Sequence, residues 1–137
     1  MSCVYATADP TAYLCIPDYT IGYALKDGKW QPGKYNVKGE KYILKKDDLS
    51  EWHWHIFGKE DSAHIEQCEK FNENGFIRCN FNVTVQIQFN RETLRYIATQ
   101  TVGYVLSKRM IEGGLEDNMV TPYMQIGTCE PLDFDPL

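Results

Sequence analysis

The chain has 137 residues, 43% of them hydrophobic and 24% charged, which suits one domain with one core and excludes a disordered tail. No apolar run approaches the roughly 18–20 residues that a helix needs to cross a bilayer. The net charge of −5 argues against general nucleic-acid binding. That charge is unevenly spread: seven lysines face only Asp27 and Glu40 between Lys26 and Lys46, whereas Ile111 to Leu137 carries six acids and no base. Aromatic residues make up 13%, a bias toward strands, where flat rings pack across a pleated surface.

Residues 1–11 read as a flexible N-terminus, 12–130 as a single β domain and 131–137 as a tail. The first strands are expected at Tyr13–Ile16 and Tyr19–Lys26. Asp27-Gly28 follows, a hairpin signal because both residues tolerate positive φ in a type I′ turn. The return strand carries Trp30 and is expected to break at Pro32-Gly33. Short strands then fall at Tyr35–Val37 and Lys41–Leu44, followed by Glu51–Phe57. Ala63–Phe71 and Phe76–Phe81 form a hairpin about Asn72-Glu73-Asn74-Gly75. Val83, Val85, Ile87 and Phe89 alternate with Thr84, Gln86 and Gln88, the period of a strand with one buried face. Asn90-Arg91-Glu92 turns the chain into Thr93–Leu106. At most one short helix is expected, with its place within Ser107–Leu115, and Met119–Thr128 is the last strand. Turn signals every 8–12 residues or so mark an all-β fold, an antiparallel meander forming a small barrel or sandwich.

There are five cysteines. In a hairpin centred between Glu73 and Asn74, Cys68 and Cys79 stand opposite each other, and facing residues at a non-hydrogen-bonded position lie close enough to bridge. A Cys15–Cys129 bridge would tie the first strand to the last and close a long loop. Cys3 is then the odd one. The alternative is five free thiols in a cytosolic protein. No CxxC spacing points to a zinc knuckle.

The elements Tyr13-Leu14-Cys15-Ile16, Ile21-Gly22-Tyr23 to Gly28-Lys29-Trp30, Lys41-Tyr42-Ile43-Leu44, Cys68 and Asn74-Gly75-Phe76-Ile77-Arg78-Cys79 carry a resemblance. So do Phe89-Asn90-Arg91 to Leu94-Arg95-Tyr96 and Thr121-Pro122-Tyr123-Met124-Gln125-Ile126-Gly127-Thr128-Cys129. Over most of Tyr13 to Leu132 the chain resembles a family of small, uncharacterised, mostly exported four-cysteine bacterial proteins, found especially in α-proteobacteria. The resemblance implies two disulfides and an oxidising compartment, and it carries no activity. The expected location is therefore periplasmic or secreted. No positively charged start followed by an apolar stretch is read as an intact signal peptide, although Ala6-Thr7-Ala8 has the small-x-small form of a cleavage site, so the cytoplasm is the alternative.

All three histidines lie within twelve residues. His53 and His55 share a strand face, and a hairpin register placing His55 opposite Glu66 would bring His64 and Glu66 to them, a donor set suited to Zn²⁺. A one-residue slip breaks that set. The competing reading sends Trp52, Trp54 and Ile56 to the core and the histidines to water. Lys26, Lys29, Lys34 and Lys38 interleave with Trp30, Tyr35 and Tyr42, a basic and aromatic surface. It suits a protein or anionic partner better than single-stranded nucleic acid. Gly28-Lys29-Trp30 has the Gly-x-Trp form found in lipocalins, but its glycine belongs to a hairpin turn. No phosphate loop, nucleophile elbow or cysteine with an evident base is present. The resulting expectation is a non-catalytic module, without cofactor, that binds or inhibits another macromolecule. A carrier of small apolar ligands and a histidine-based metal enzyme are the alternatives; monomer and dimer stay open.

Overall fold

The structure is a computed structural model, and it describes residues 9–59, 66–81, 84–105 and 121–132. Nine strands form one antiparallel sheet: β1 (Ala12–Lys26), β2 (Lys29–Tyr35), β3 (Tyr42–Lys46), β4 (Trp52–Ile56), β5 (Glu66–Gln67), β6 (Phe76–Phe81), β7 (Val85–Asn90), β8 (Arg95–Gln100) and β9 (Tyr123–Pro131). The pairing order is β5-β4-β3-β1-β9-β8-β7-β6, with β2 attached to β1 beside this path. A bridge between Cys68 and Cys79 brings the two ends of the sheet together, so the sheet is nearly closed into a barrel. Of the two architectures expected from the sequence, the barrel is the one formed. Eight strands leave an interior that side chains can fill.

The Asp27-Gly28 turn forms as expected, with φ of 51° and 76°. The two first segments are one strand with an irregularity between Pro17 and Tyr19. Pro32-Gly33 does not break β2, which pairs through to Tyr35, because β2 lies at an edge and the amide that Pro32 lacks has no ladder to join. Thr93–Leu106 is shorter than expected: β8 stops at Gln100 and a 3-10 turn covers Val102–Val105. Strand β9 runs on to Pro131, past the expected end at Thr128. The helix expected within Ser107–Leu115 and Cys3 lie outside the described residues.

Disulfide Cys15–Cys129 joins β1 to β9 and Cys68–Cys79 joins β5's end to β6, both with Cα atoms 4.0 Å apart and both buried. Around them Tyr13, Leu44, Trp52, Trp54, Ile77, Ile87, Phe89 and Tyr96 fill the interior. One end of the barrel is closed by turns built on side-chain acceptors. Asp47 Oδ1 accepts from the amides of Leu49 and Glu51, Asn72 Oδ1 from Asn74 and Phe76, and Asn90 Oδ1 from Glu92. Tyr13, Trp52, Phe71 and Phe89 pack above these turns with ring centroids 4.9–6.4 Å apart. The opposite end carries the β1–β2 hairpin and differs in chemistry.

Candidate functional site

Toward that second end the inward positions turn polar. Gln125 of β9 and Thr20 of β1 point inward and are buried, while Met124 and Ile126 point out and are each 45% exposed. Gln125 is held on all sides. Its Oε1 accepts from the Tyr96 hydroxyl at 3.0 Å, and its Nε2 donates to Thr20 Oγ1 at 2.9 Å and to Glu40 Oε2 at 3.1 Å. The Tyr42 hydroxyl donates to the same Glu40 oxygen at 3.2 Å, and its ring stacks on Trp54, 5.3 Å between centroids. Trp54 in turn lies against Tyr96. Burial raises the pKa values of Tyr42, Tyr96 and Tyr123, and the Glu40 carboxylate adds to each rise, so all three remain protonated donors at neutral pH.

These residues floor a cavity of about 270 Å³ at the barrel mouth, lined by Thr20, Tyr35, Glu40, Tyr42, Thr121, Tyr123 and Gln125. Tyr35 is anchored there by its hydroxyl, which donates to the Tyr23 carbonyl. Beyond the mouth the β1–β2 hairpin rises on its own pairing, since β1 pairs β9 only as far as Gly22. On the outer face of β1, Tyr19 and Ile21 in the part paired with β9 and Tyr23 and Leu25 beyond it form a stripe that is 48–65% exposed. Ile21 stands opposite Lys34, Tyr23 opposite Pro32 and Leu25 opposite Trp30. A groove of about 340 Å³ runs beside the stripe, lined by Ile21, Tyr23, Pro32, Thr99, Pro122 and Met124 among others. Trp30 meets Tyr104 edge-on at 5.7 Å.

The basic and aromatic residues singled out from the sequence are thus divided between two places. Lys26, Lys29, Trp30 and Lys34 belong to the hairpin, with Lys26 and Lys29 directly opposite each other beside its turn. Lys38 is exposed in the following loop. Tyr35 and Tyr42 belong to the mouth cavity instead. Strand alternation sends Tyr42 inward beside Leu44, whereas Tyr35 stands opposite inward Thr20 at the base of the hairpin, on the face of Lys26 and Lys29 but at the other end of the ladder.

The histidine set is not assembled in the expected register. Strand β4 pairs β5 with His53 opposite Gln67 and Trp54 opposite Glu66, one residue away from the His55–Glu66 match, and His64 lies outside the described residues. His53 and His55 do share a face, with ring centroids 6.1 Å apart. That face is not open to water: His55 is buried opposite Ile43, whereas Ile56, expected inside, is exposed at the strand end. His53 Nε2 bonds Asp47 Oδ2 at 2.7 Å. Among the described residues, Asp47, Glu51 and His53 are the group whose ligand atoms lie within 4.8 Å of one another. Asp47 is engaged in its turn, and hydrogen bonds from the Glu51 amide and from His53 lower its pKa.

Glu40, Thr20, Thr121, Tyr123 and Gln125 are the cavity residues that sequence reasoning missed. The available signal was a buried-strand phase reversed near the mouth, where polar Thr20 and Gln125 take the inward positions between apolar neighbours. The two disulfides fit an oxidising compartment, and among the described residues no helix is long and apolar enough to cross a membrane. In comparison with known proteins, no family model, no curated protein and no solved structure matches the chain, so the family resemblance rests on the sequence elements alone.

Proposed function

We propose that this barrel is a non-catalytic recognition module, working in the periplasm or outside a bacterial cell, that grips another protein with the β1–β2 hairpin. The observation that carries the reading is the outward stripe Tyr19, Ile21, Tyr23 and Leu25, exposed along β1 from the wall it shares with β9 out to the hairpin tip. Contiguous apolar surface of this kind marks a contact site more often than a solvated one. The partner's chemistry follows from charge. Lys26 and Lys29 oppose each other across the ladder at the hairpin tip, on the face alternate to the stripe, a like-charged pair that destabilises the hairpin until an anion reaching over the tip neutralises it. Lys34 adds a third cation beside Ile21. The partner is therefore a protein surface with an apolar centre and an acidic rim. It docks face-on rather than by adding a strand, because the free edge of β2 is interrupted by Pro32.

The test is capture from the source cell's extract with the oxidised protein, with Lys26→Glu combined with Lys29→Glu, and with Leu25→Ser. A defined species held by the parent and lost with both variants, at unchanged thermal stability, is the expected result. An unchanged set of captured proteins defeats the reading.

A further inference from the structure

Glu40 is a carboxylate in search of a counter-ion. It is partly buried at the barrel mouth, and both of its described hydrogen bonds, from Tyr42 and Gln125, reach the same oxygen, Oε2. Among the described residues no Lys, Arg or His forms an ion pair with it, and the cavity lining contains no cationic side chain. A charge withdrawn from water without a partner is costly, and hydrogen bonds from neutral donors offset only part of that cost. The remaining walls are the aromatic rings of Tyr35, Tyr42 and Tyr123, with Thr20, Thr121 and Gln125 between them. Tyrosine faces attract cations through the ring quadrupole, and aromatic walls around a carboxylate are the arrangement that recognises ammonium groups. A volume of about 270 Å³ is small for a whole drug-sized ligand and suits a head group.

We propose that the barrel mouth is a binding site for a small organic cation, an alkylated or quaternary ammonium group seated on Glu40 and walled by Tyr35, Tyr42 and Tyr123. The rest of the cavity agrees with this assignment. Gln125 is fixed by Tyr96 and Thr20 before any ligand arrives, so the Glu40 carboxylate is held in place rather than recruited. Burial raises the pKa values of Tyr42 and Tyr123, so these two hydroxyls add no second negative charge beside Glu40 at neutral pH. The site is separate from the hairpin's outer stripe and stands or falls independently of the protein-binding reading.

The experiment is isothermal titration of the oxidised protein with choline and, separately, with 3,3-dimethylbutan-1-ol, which has nearly the same shape and no charge. Choline is expected to bind at one site and the neutral compound to bind at least about ten-fold more weakly. Glu40→Gln keeps the hydrogen-bonding shape and removes the charge; it should weaken choline by about ten-fold or more, and Tyr123→Leu should do the same. Equal binding of the two compounds, or no choline binding by the parent protein, overturns the proposal. So does a folded Glu40→Gln variant that binds choline as the parent does. The comparison of the two compounds needs no variant, so a substitution that fails to fold leaves the test decisive.

Discussion

Gly127 lies where two neighbours already occupy the space of a side chain. A Cβ built there would stand 2.4 Å from the Ile16 carbonyl oxygen and 2.4 Å from Tyr96 Cε1. The absent side chain lets the Tyr96 ring lie across β9 and deliver its hydroxyl to Gln125. Gly127→Ala should therefore destabilise the fold by about 1–3 kcal/mol through overpacking, despite alanine's lower unfolded-state entropy. Urea denaturation measures it, and a variant as stable as the parent would show that the barrel wall yields. Nothing in the residue pattern points to this role, since a glycine in a strand reads first as a weak point. Residue by residue, legibility failed most at the mouth. Met124 and Ile126 look like core positions, and only the pairing of β9 with β1 and β8 shows that Gln125 has taken the inside. The choice between the two faces of a strand is a tertiary matter, decided by what the interior must hold.

Between elements, the two disulfides have different tasks. Strand β5 has two residues, and beside the Cys68–Cys79 bridge the seam to β6 is held by backbone bonds such as Glu69 N–H to the Arg78 carbonyl and Asn72 N–H to that of Phe76. Cys15 and Cys129 join β1 to β9 where a long ladder already pairs them. Loop-closure entropy nonetheless ranks them in reverse. With sequence separations of 114 and 11, removing Cys15–Cys129 should cost about 4–5 kcal/mol and removing Cys68–Cys79 about 3 kcal/mol. Alanine pairs at each bridge, compared by denaturation, test the ranking. Hydrogen exchange should show the opposite local pattern, with β4 to β6 losing protection when the Cys68–Cys79 bridge is removed. Equal losses everywhere would mean that the seam does not depend on its bridge. The Cys68–Cys79 pair was legible because a tight turn counts residues outward from its centre. The β4–β5 register was not, because a long connection leaves a one-residue slip undecided, and that slip separates Glu66 from His55. The Asp27-Gly28 hairpin was legible from its turn; its two faces were not, so seven basic and aromatic residues looked like one surface.

At the scale of the whole barrel the interior runs from an aromatic, turn-closed end to a mouth where tyrosine hydroxyls, a glutamine and a carboxylate share hydrogen bonds, and this gradient makes stability depend on alkaline pH. Burial raises the pKa values of Tyr13, Tyr42, Tyr96 and Tyr123 in the folded protein, whereas unfolded tyrosine titrates near 10. Below pH 10 or so both states keep these protons, and the full stability is present. Above it the unfolded chain releases them while the folded one retains them, so stability falls as pH rises. Tyr96, the most buried of the mouth tyrosines, should by itself contribute a slope of about 1.4 kcal/mol per pH unit. Urea midpoints measured from pH 8 to 11 on a Cys3→Ser background, which keeps the fifth cysteine from exchanging with the bridges, should decline from about pH 10. Tyrosinate absorbance from the interior rings should rise only as the barrel opens. Tyr96→Phe should lower stability at pH 8 through its lost bond to Gln125, yet flatten the decline above pH 10 or so because one retained proton is gone. Nine tyrosines titrating together near pH 10 in a barrel that stays folded would refute the gradient, and with it the hydrogen-bonded mouth on which the cation site depends.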